Sequence, residues 1–236
     1  MIRVLMALVM MLGANFALAD IVDEGTELVI VGVNDVFVPK GFDDNDEAVA
    51  VVDGHLNNSC YRLAHNEVRL DPPQREIQVV QYARRFSMLC IQMRIPFWKE
   101  ASLGVLPIGS YNVISSDQVR EVLSISEAEN SGPDDHMYAP VNSARVERDE
   151  GGAYVAVVEG EIAESCMKWK ELKLVNSGKT KELLPIVEVE NPENCQGEQM
   201  YPFKKKVSLP NDNPGRYLLH VRSLNGKAVN YMYSVE

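Results

Sequence analysis

The sequence predicts an all-β chain of two tandem antiparallel β-sandwiches, and three observations carry that reading. Short β-branched runs recur, each closed by a turn signal. The chain repeats itself at an offset of 106 residues. Its four cysteines fall two to each copy. The 236 residues are 46% hydrophobic and 24% charged, a globular composition that excludes collagen, long disorder and a pure coiled coil. Net charge is −11. A field of that sign disfavours phosphate backbones, so no nucleic-acid partner is expected, and it works against anionic membranes at long range.

The first segment reads as an address. Arg3 precedes an apolar run from Val4 to Leu12, and Ala17-Leu18-Ala19 has the small-x-small form of a signal peptidase site. Residues 1–19 are therefore read as a signal peptide cut after Ala19, which makes the mature chain periplasmic or secreted. Asp20 to Thr26 follows as a loose arm. No other stretch is apolar enough for a membrane span.

The repeat organises the rest. Ala48 to Cys60 and Tyr154 to Cys166 share seven identities in thirteen positions, among them the valine strand, its closing glycine and Ser-Cys. Pro96-Phe97 and Gly109-x-Tyr111 recur as Pro202-Phe203 and Gly215-x-Tyr217 at the same offset. Repeat 1 spans residues 20–125 and repeat 2 residues 138–236, joined by the polar, turn-rich linker 126–137. Strands are expected at Val49–Val52, Ile77–Val80 and Met88–Met93, and at Val155–Val158, Leu184–Val189 and Glu198–Phe203. Asn225-Gly226 marks a hairpin, because both residues favour φ > 0. Only Ser116–Leu123 is helix-like, and Val119 and Val122 suit a terminal strand equally well. Short strands separated by turns every 8–12 residues are the signature of a sandwich.

A valine strand, Ser-Cys, a second cysteine, Pro-Phe and Gly-x-Tyr, in that order, resemble the immunoglobulin-like or fibronectin-III-like sandwich repeats of exported bacterial envelope proteins. The resemblance covers residues 27–125 and 138–236. It implies the architecture and says little about activity. The cysteines depart from the antibody pattern, following the valine pair by eight residues rather than sitting mid-strand around a core tryptophan. Copy one has only Trp98, and copy two offers Trp169. A staple near one end of each sandwich is therefore expected.

Catalytic motifs are lacking: there is no G-x-S-x-G, no H-E-x-x-H and no P-loop. The four histidines do not pair at i, i+2 or i+4, and Asp43 to Glu47 lacks the glycine and distal glutamate of an EF-hand loop. No catalytic residue, metal ligand or cofactor is assigned. Methionines near cysteines, Met93 and Met200, would suit copper(I) handling, yet equivalent strand positions suit core filling. Three lysines, Lys204 to Lys206, cannot all be buried in one strand and suit a solvated edge.

What the copies share is what a sandwich needs. What they do not share is polar: His55 aligns with Glu161, Trp98 with Lys204, and His220 with Ile114. The duplicated object is thus a scaffold, and function is expected in loops or at the groove between repeats. A non-catalytic module that binds a protein, peptide or glycan of the envelope fits this best. A copper-handling protein, or an enzyme with a site assembled from scattered residues, is the alternative. Contact is expected at Phe42, Asp44, Trp98, His136 and Tyr138, within the loops Phe42–Glu47 and Asp134–Tyr138. Trp98 either anchors a partner or packs inside the sandwich. The sequence fixes no oligomeric state.

Four exported cysteines read as disulfides, with three possible pairings. Duplication selects Cys60–Cys90 and Cys166–Cys195, since each copy reproduces the same bridge. Closing a loop of about thirty residues is worth roughly 3–4 kcal/mol in the chain-entropy picture. Peptide mapping without reductant should give these two cross-links; a peptide joining Cys60 or Cys90 to Cys166 or Cys195 would overturn the pairing.

Overall fold

A computed structural model describes residues 25–132, 134–190 and 199–236. Residues 1–19 and Cys195 lie outside the described residues, and with them the cleavage site and the Cys166–Cys195 bridge. The described residues form sixteen strands and no helix. Nine come from the first half: β1 (Thr26–Ile30), β2 (Val33–Phe37), β3 (Phe42–Asp43), β4 (Ala48–Leu56), β5 (Tyr61–Asp71), β6 (Glu76–Phe86), β7 (Ile95–Gly104), β8 (Gly109–Ser115) and β9 (Arg120–Ser126). Seven come from the second: β10 (Val141–Arg148), β11 (Tyr154–Ile162), β12 (Met167–Ser177), β13 (Thr180–Val189), β14 (Tyr201–Ser208), β15 (Gly215–Ser223) and β16 (Lys227–Val235). They make four sheets. The first half contributes β2-β4-β7 and a six-stranded sheet in which β6 pairs β1, β5 and β8 while β9 joins β8 to β3. The second contributes β10-β11-β14 and β12-β13-β15-β16. No sheet draws strands from both halves.

Alternation builds the cores. Ala48, Ala50 and Val52 point inward from β4 and meet Ile77, Val113 and Leu123 from the opposite sheet. In the second half Ala156 and Val158 meet Leu183, Leu219 and Val221. The recurrent motifs now have physical causes. A Cβ on Gly54 would overlap the Gly32 carbonyl oxygen and the Phe97 ring, which lies opposite it across β4 and β7. A Cβ on Gly160 would overlap the Pro140 carbonyl oxygen and the Phe203 ring in the same way. The glycine and the phenylalanine of Pro-Phe are therefore one device, an aromatic ring laid over a bare backbone. The tyrosine of Gly-x-Tyr is another. Tyr111 Oη donates to Pro107 O and Tyr217 Oη to Asn213 O, both at 2.8 Å, pinning the turn before the strand.

Several expectations are corrected. The sheets are not antiparallel throughout: β6 pairs β8, β13 pairs β15, and β3 pairs β9, all in parallel. Between β6 and β8 the chain crosses once through the opposite sheet as β7, so it re-enters running the same way; β14 does this between β13 and β15. Ser116–Leu123 is no helix but a turn leading into β9. Met88–Met93 is no strand. It is a loop whose methionines, like Met200, stand in solvent, so these three do not fill the core. Trp98 does not pack inside the sandwich, because it lies on the outward parity of β7 and is 43% exposed. The expected staple is present as Cys60–Cys90, joining the turn before β5 to the loop after β6 at one end of the first half. Trp169 sits at the matching end of the second half, edge-on to Phe203 at 4.9 Å.

The glycine-ring device can be tested directly. Gly54→Ala and Gly160→Ala should each cost about 1–3 kcal/mol through overpacking, read as a lowered urea midpoint with an unchanged slope. Wild-type midpoints in both variants would refute it.

A charged junction between the halves as candidate functional site

One face of β2-β4-β7 lies on the first core. Its other face carries Phe37, Val51, Asp35 and Asp53, with Trp98 and Glu100 in register across β7. A sheet apolar on both faces needs cover on both. That cover comes from the outward side chains of β15 and β16: Phe37 and Val51 form one buried cluster with Leu218 and Met232. The alternate residues of β15, Tyr217, Leu219 and Val221, face their own core. Ion pairs ring the apolar contact. Arg216 grips Asp53 with Nη2 and Nε, and Lys179 Nζ reaches Asp35 Oδ1 at 2.7 Å.

At one margin the two predicted loops meet around Arg222. Its Nη2 donates to Gly41 O at 2.8 Å, and Nη1 lies 3.5 Å from both Asp46 Oδ2 and Asp134 Oδ1. The guanidinium stacks over the Phe42 ring at 4.4 Å. Glu182 is buried beside it and accepts from the Lys40 backbone N–H at 2.7 Å. Asp46 and Asp134 thus share one guanidinium, with the buried Glu182 close by. Burial pushes Asp46 up to about 6, with Arg222 only partly opposing it. Asp134 and Glu182 are raised for the same reason. Burial also lifts the Tyr138 phenol to about 12. Asp46 Oδ1 is buried without a hydrogen-bond partner among the described residues.

Behind Phe42 stands His220, fully buried, its ring edge-on to the phenylalanine. Nδ1 donates to Asn230 Oδ1 at 2.7 Å, and Asn230 Nδ2 donates to Glu100 Oε2 at 2.6 Å. That network leaves Nε2 as a buried acceptor without a hydrogen-bond partner among the described residues. Burial, and then the Arg222 charge, hold the imidazole down to about 4, so it is neutral at pH 7. Two clefts open on either side of this wall. One, of about 190 Å³, is lined by Lys40, Asp46, Asp134, His136, Tyr138 and Glu182. The other, of about 300 Å³, is lined by Phe42, Glu47, Glu100, Ser102, His220 and Lys227. Among the described residues no three His, Cys, Asp or Glu are placed to hold a metal ion.

The structure therefore gathers part of the predicted set. Phe42 and Tyr138 are buried walls of the junction rather than exposed contacts. Asp44 is tied down, its Oδ1 accepting from Ala128 N at 3.0 Å. His136 is exposed at the cleft rim, edge-on to Tyr138. Trp98 lies elsewhere on the junction face, in register with Asp53. Sequence reasoning missed Arg222, Arg216 and Glu182. A signal existed: Leu218-Leu219-His220-Val221 has no polar alternation, so both its faces are buried. The matching face of the second half differs. There Glu159 pairs with Arg145 and Lys204, and Glu147 with Arg145 and Lys206, a lattice of charges that faces water.

Fold and junction together define the class, an all-β chain with a β-sandwich domain. Residues 50–125 match the family described as the ORF11 beta-sandwich domain, about a third of the chain. Searches of curated proteins and of solved structures gave no match.

Two buried groups at the junction impose opposite pH dependence. Asp46 is raised from 3.8 to about 6, so the folded state holds its proton longer and stability falls as pH climbs from about 4 through 6. His220 is lowered from 6.5 to about 4, so the unfolded state holds the extra proton and stability rises over the same window. Urea midpoints measured from pH 4 to 7 should rise more steeply with pH in Asp46→Asn and fall in His220→Gln. Parallel curves for wild type and both variants would contradict the assignment.

Proposed function

We propose that the protein is an exported, non-catalytic binding or structural module of the bacterial envelope, built as two tandem immunoglobulin-like sandwiches. It recognises a protein, peptide or glycan partner. The observation that carries this reading is the meeting of loops 42–47 and 134–138, one from the first half and one from the stretch between the halves, around Arg222. Their cleft has an excess of carboxyls over cations. Such a cleft favours a ligand bearing a cationic or hydrogen-bond-donor group, such as a lysine or arginine side chain or a sugar hydroxyl. Several walls of the cleft, Asp46, Tyr138, Glu182 and Arg222, are already buried in the fold, which lowers the ordering cost of binding. Catalysis has little support. His220, the imidazole held furthest from its ordinary value, is buried at the junction with its Nδ1 committed to the Asn230 amide rather than to a carboxylate.

The test uses a partner recovered from envelope extract on the immobilised protein. Asp135→Lys, at the exposed rim of the cleft, should weaken that partner about tenfold, and binding of a basic partner should weaken as salt rises. Equal affinity for wild type and Asp135→Lys would remove the cleft from the contact surface. Trp98→Ala examines the second predicted contact, and unchanged affinity with unchanged stability would exclude it.

A further inference from the structure

The loop between β6 and β7 is the most apolar exposed feature of the described residues. Met88, Leu89, Ile91 and Met93 are 67%, 98%, 68% and 52% exposed, four large apolar side chains within six residues. Soluble proteins seldom display such a cluster without a partner for it. The loop is held rather than slack. The Cys60–Cys90 bridge ties it to the turn before β5, Ser59 N donates to Ile91 O at 3.1 Å, and Ile91 N donates to Ser59 Oγ at 2.8 Å. Beside it the edge strand β1 carries Leu28 and Ile30 outward, both exposed.

The charge around this tip runs against the rest of the molecule. Arg62 and Arg84 face each other directly across β5 and β6, and Leu28 lies opposite Arg84 on the other side. Like charges in register destabilise a sheet, so nothing internal to the fold asks for them. Arg94 closes the loop, and Arg85 is matched by Glu27. Three arginines without a carboxylate among the described residues thus rim an apolar tip in a chain of net charge −11. At physiological salt the remote carboxylates are screened beyond about 8 Å, and the local basic rim governs contact at the surface.

We propose that this end of the first half is a peripheral membrane contact, in which Met88, Leu89, Ile91 and Met93 enter the interfacial layer of a bilayer and Arg62, Arg84 and Arg94 hold anionic headgroups. An exposed apolar loop with a cationic collar is an arrangement that partitions into an anionic lipid surface. A second copy of the chain is disfavoured as occupant, since it would bring the same arginines face to face. Ser87 N donates to Gly25 O at 3.2 Å, which holds the start of the loop against the residue before β1.

Flotation of the full chain with phosphatidylglycerol–phosphatidylethanolamine vesicles, and with phosphatidylcholine vesicles as the neutral arm, tests the proposal. The paired surface substitutions Leu89→Ser with Ile91→Ser, and Arg62→Glu with Arg84→Glu, should each lower partitioning onto the anionic vesicles about tenfold at unchanged circular dichroism. The arginine pair should leave the neutral vesicles unaffected. Leu89→Trp supplies a local readout independent of residues 1–24: its emission should shift to the blue on anionic vesicles. Partitioning unchanged in both paired variants, or a Leu89→Trp emission that does not move, overturns the proposal. So does a dimer in sedimentation equilibrium that the Leu89→Ser, Ile91→Ser pair abolishes without any vesicle binding.

Discussion

A sheet that is apolar on both faces must be covered twice, and the arrangement of this molecule follows from that constraint. Ala48, Ala50 and Val52 bury one side of β4 in the first core, while Val51 buries the other against Leu218 and Met232. The second cover is what draws His220 and Arg222 out of solvent and half-buries Arg216, since they share the outward face of β15 with Leu218. Each polar group then requires a partner, because burial without one is costly. Asp53, Asn230, Asp46, Asp134 and the Gly41 carbonyl supply them. The clefts beside Phe42 are the margins of this contact, where two curved sheets no longer meet.

Much of the fold was legible because the recurring motifs record packing necessity. A glycine under a ring, a tyrosine closing its own turn and a cysteine at the sandwich end each solve a local problem that recurs at the offset of 106. Strand direction was less legible. Alternation fixes which face a side chain takes, but it is blind to whether a neighbouring strand runs with or against it. The parallel pairing of β6 with β8 comes from the excursion through β7, a long-range event with no local mark. The loop 87–94 misled for a related reason. Its hydrophobicity equals that of a core strand, and only the tertiary position of Cys90 shows that it faces out.

The candidate site was legible in its loops and hidden in its centre. Unshared residues pointed to 42–47 and 134–138, and these stretches do meet. Arg222 escaped notice because arginine at the end of a strand reads as a solvated charge. Phe42 and Tyr138 read as surface contacts, since a sequence cannot tell a loop aromatic that greets a partner from one that seals a junction. The halves also diverged where the scaffold is silent. At the position of Asp53 the second half has Glu159, and the two acids answer different cations, Arg216 across the junction and Lys204 on an open face.

The order in which the chain is made gives the junction a temporal side. The six-stranded sheet can close once Ser126 has emerged, because β9 then reaches β8 and β3. The cover for Phe37 and Val51 lies in β15 and β16, and the last of these ends at Val235. At about 5–20 residues per second, the interval between those two events is roughly 5–20 s. Throughout it Phe37 and Val51 lack the cover that Leu218 and Met232 later supply. Newly made chains are therefore most vulnerable to mispairing at β4 and β7 in this window, and any shortening of the final strands makes that vulnerability permanent.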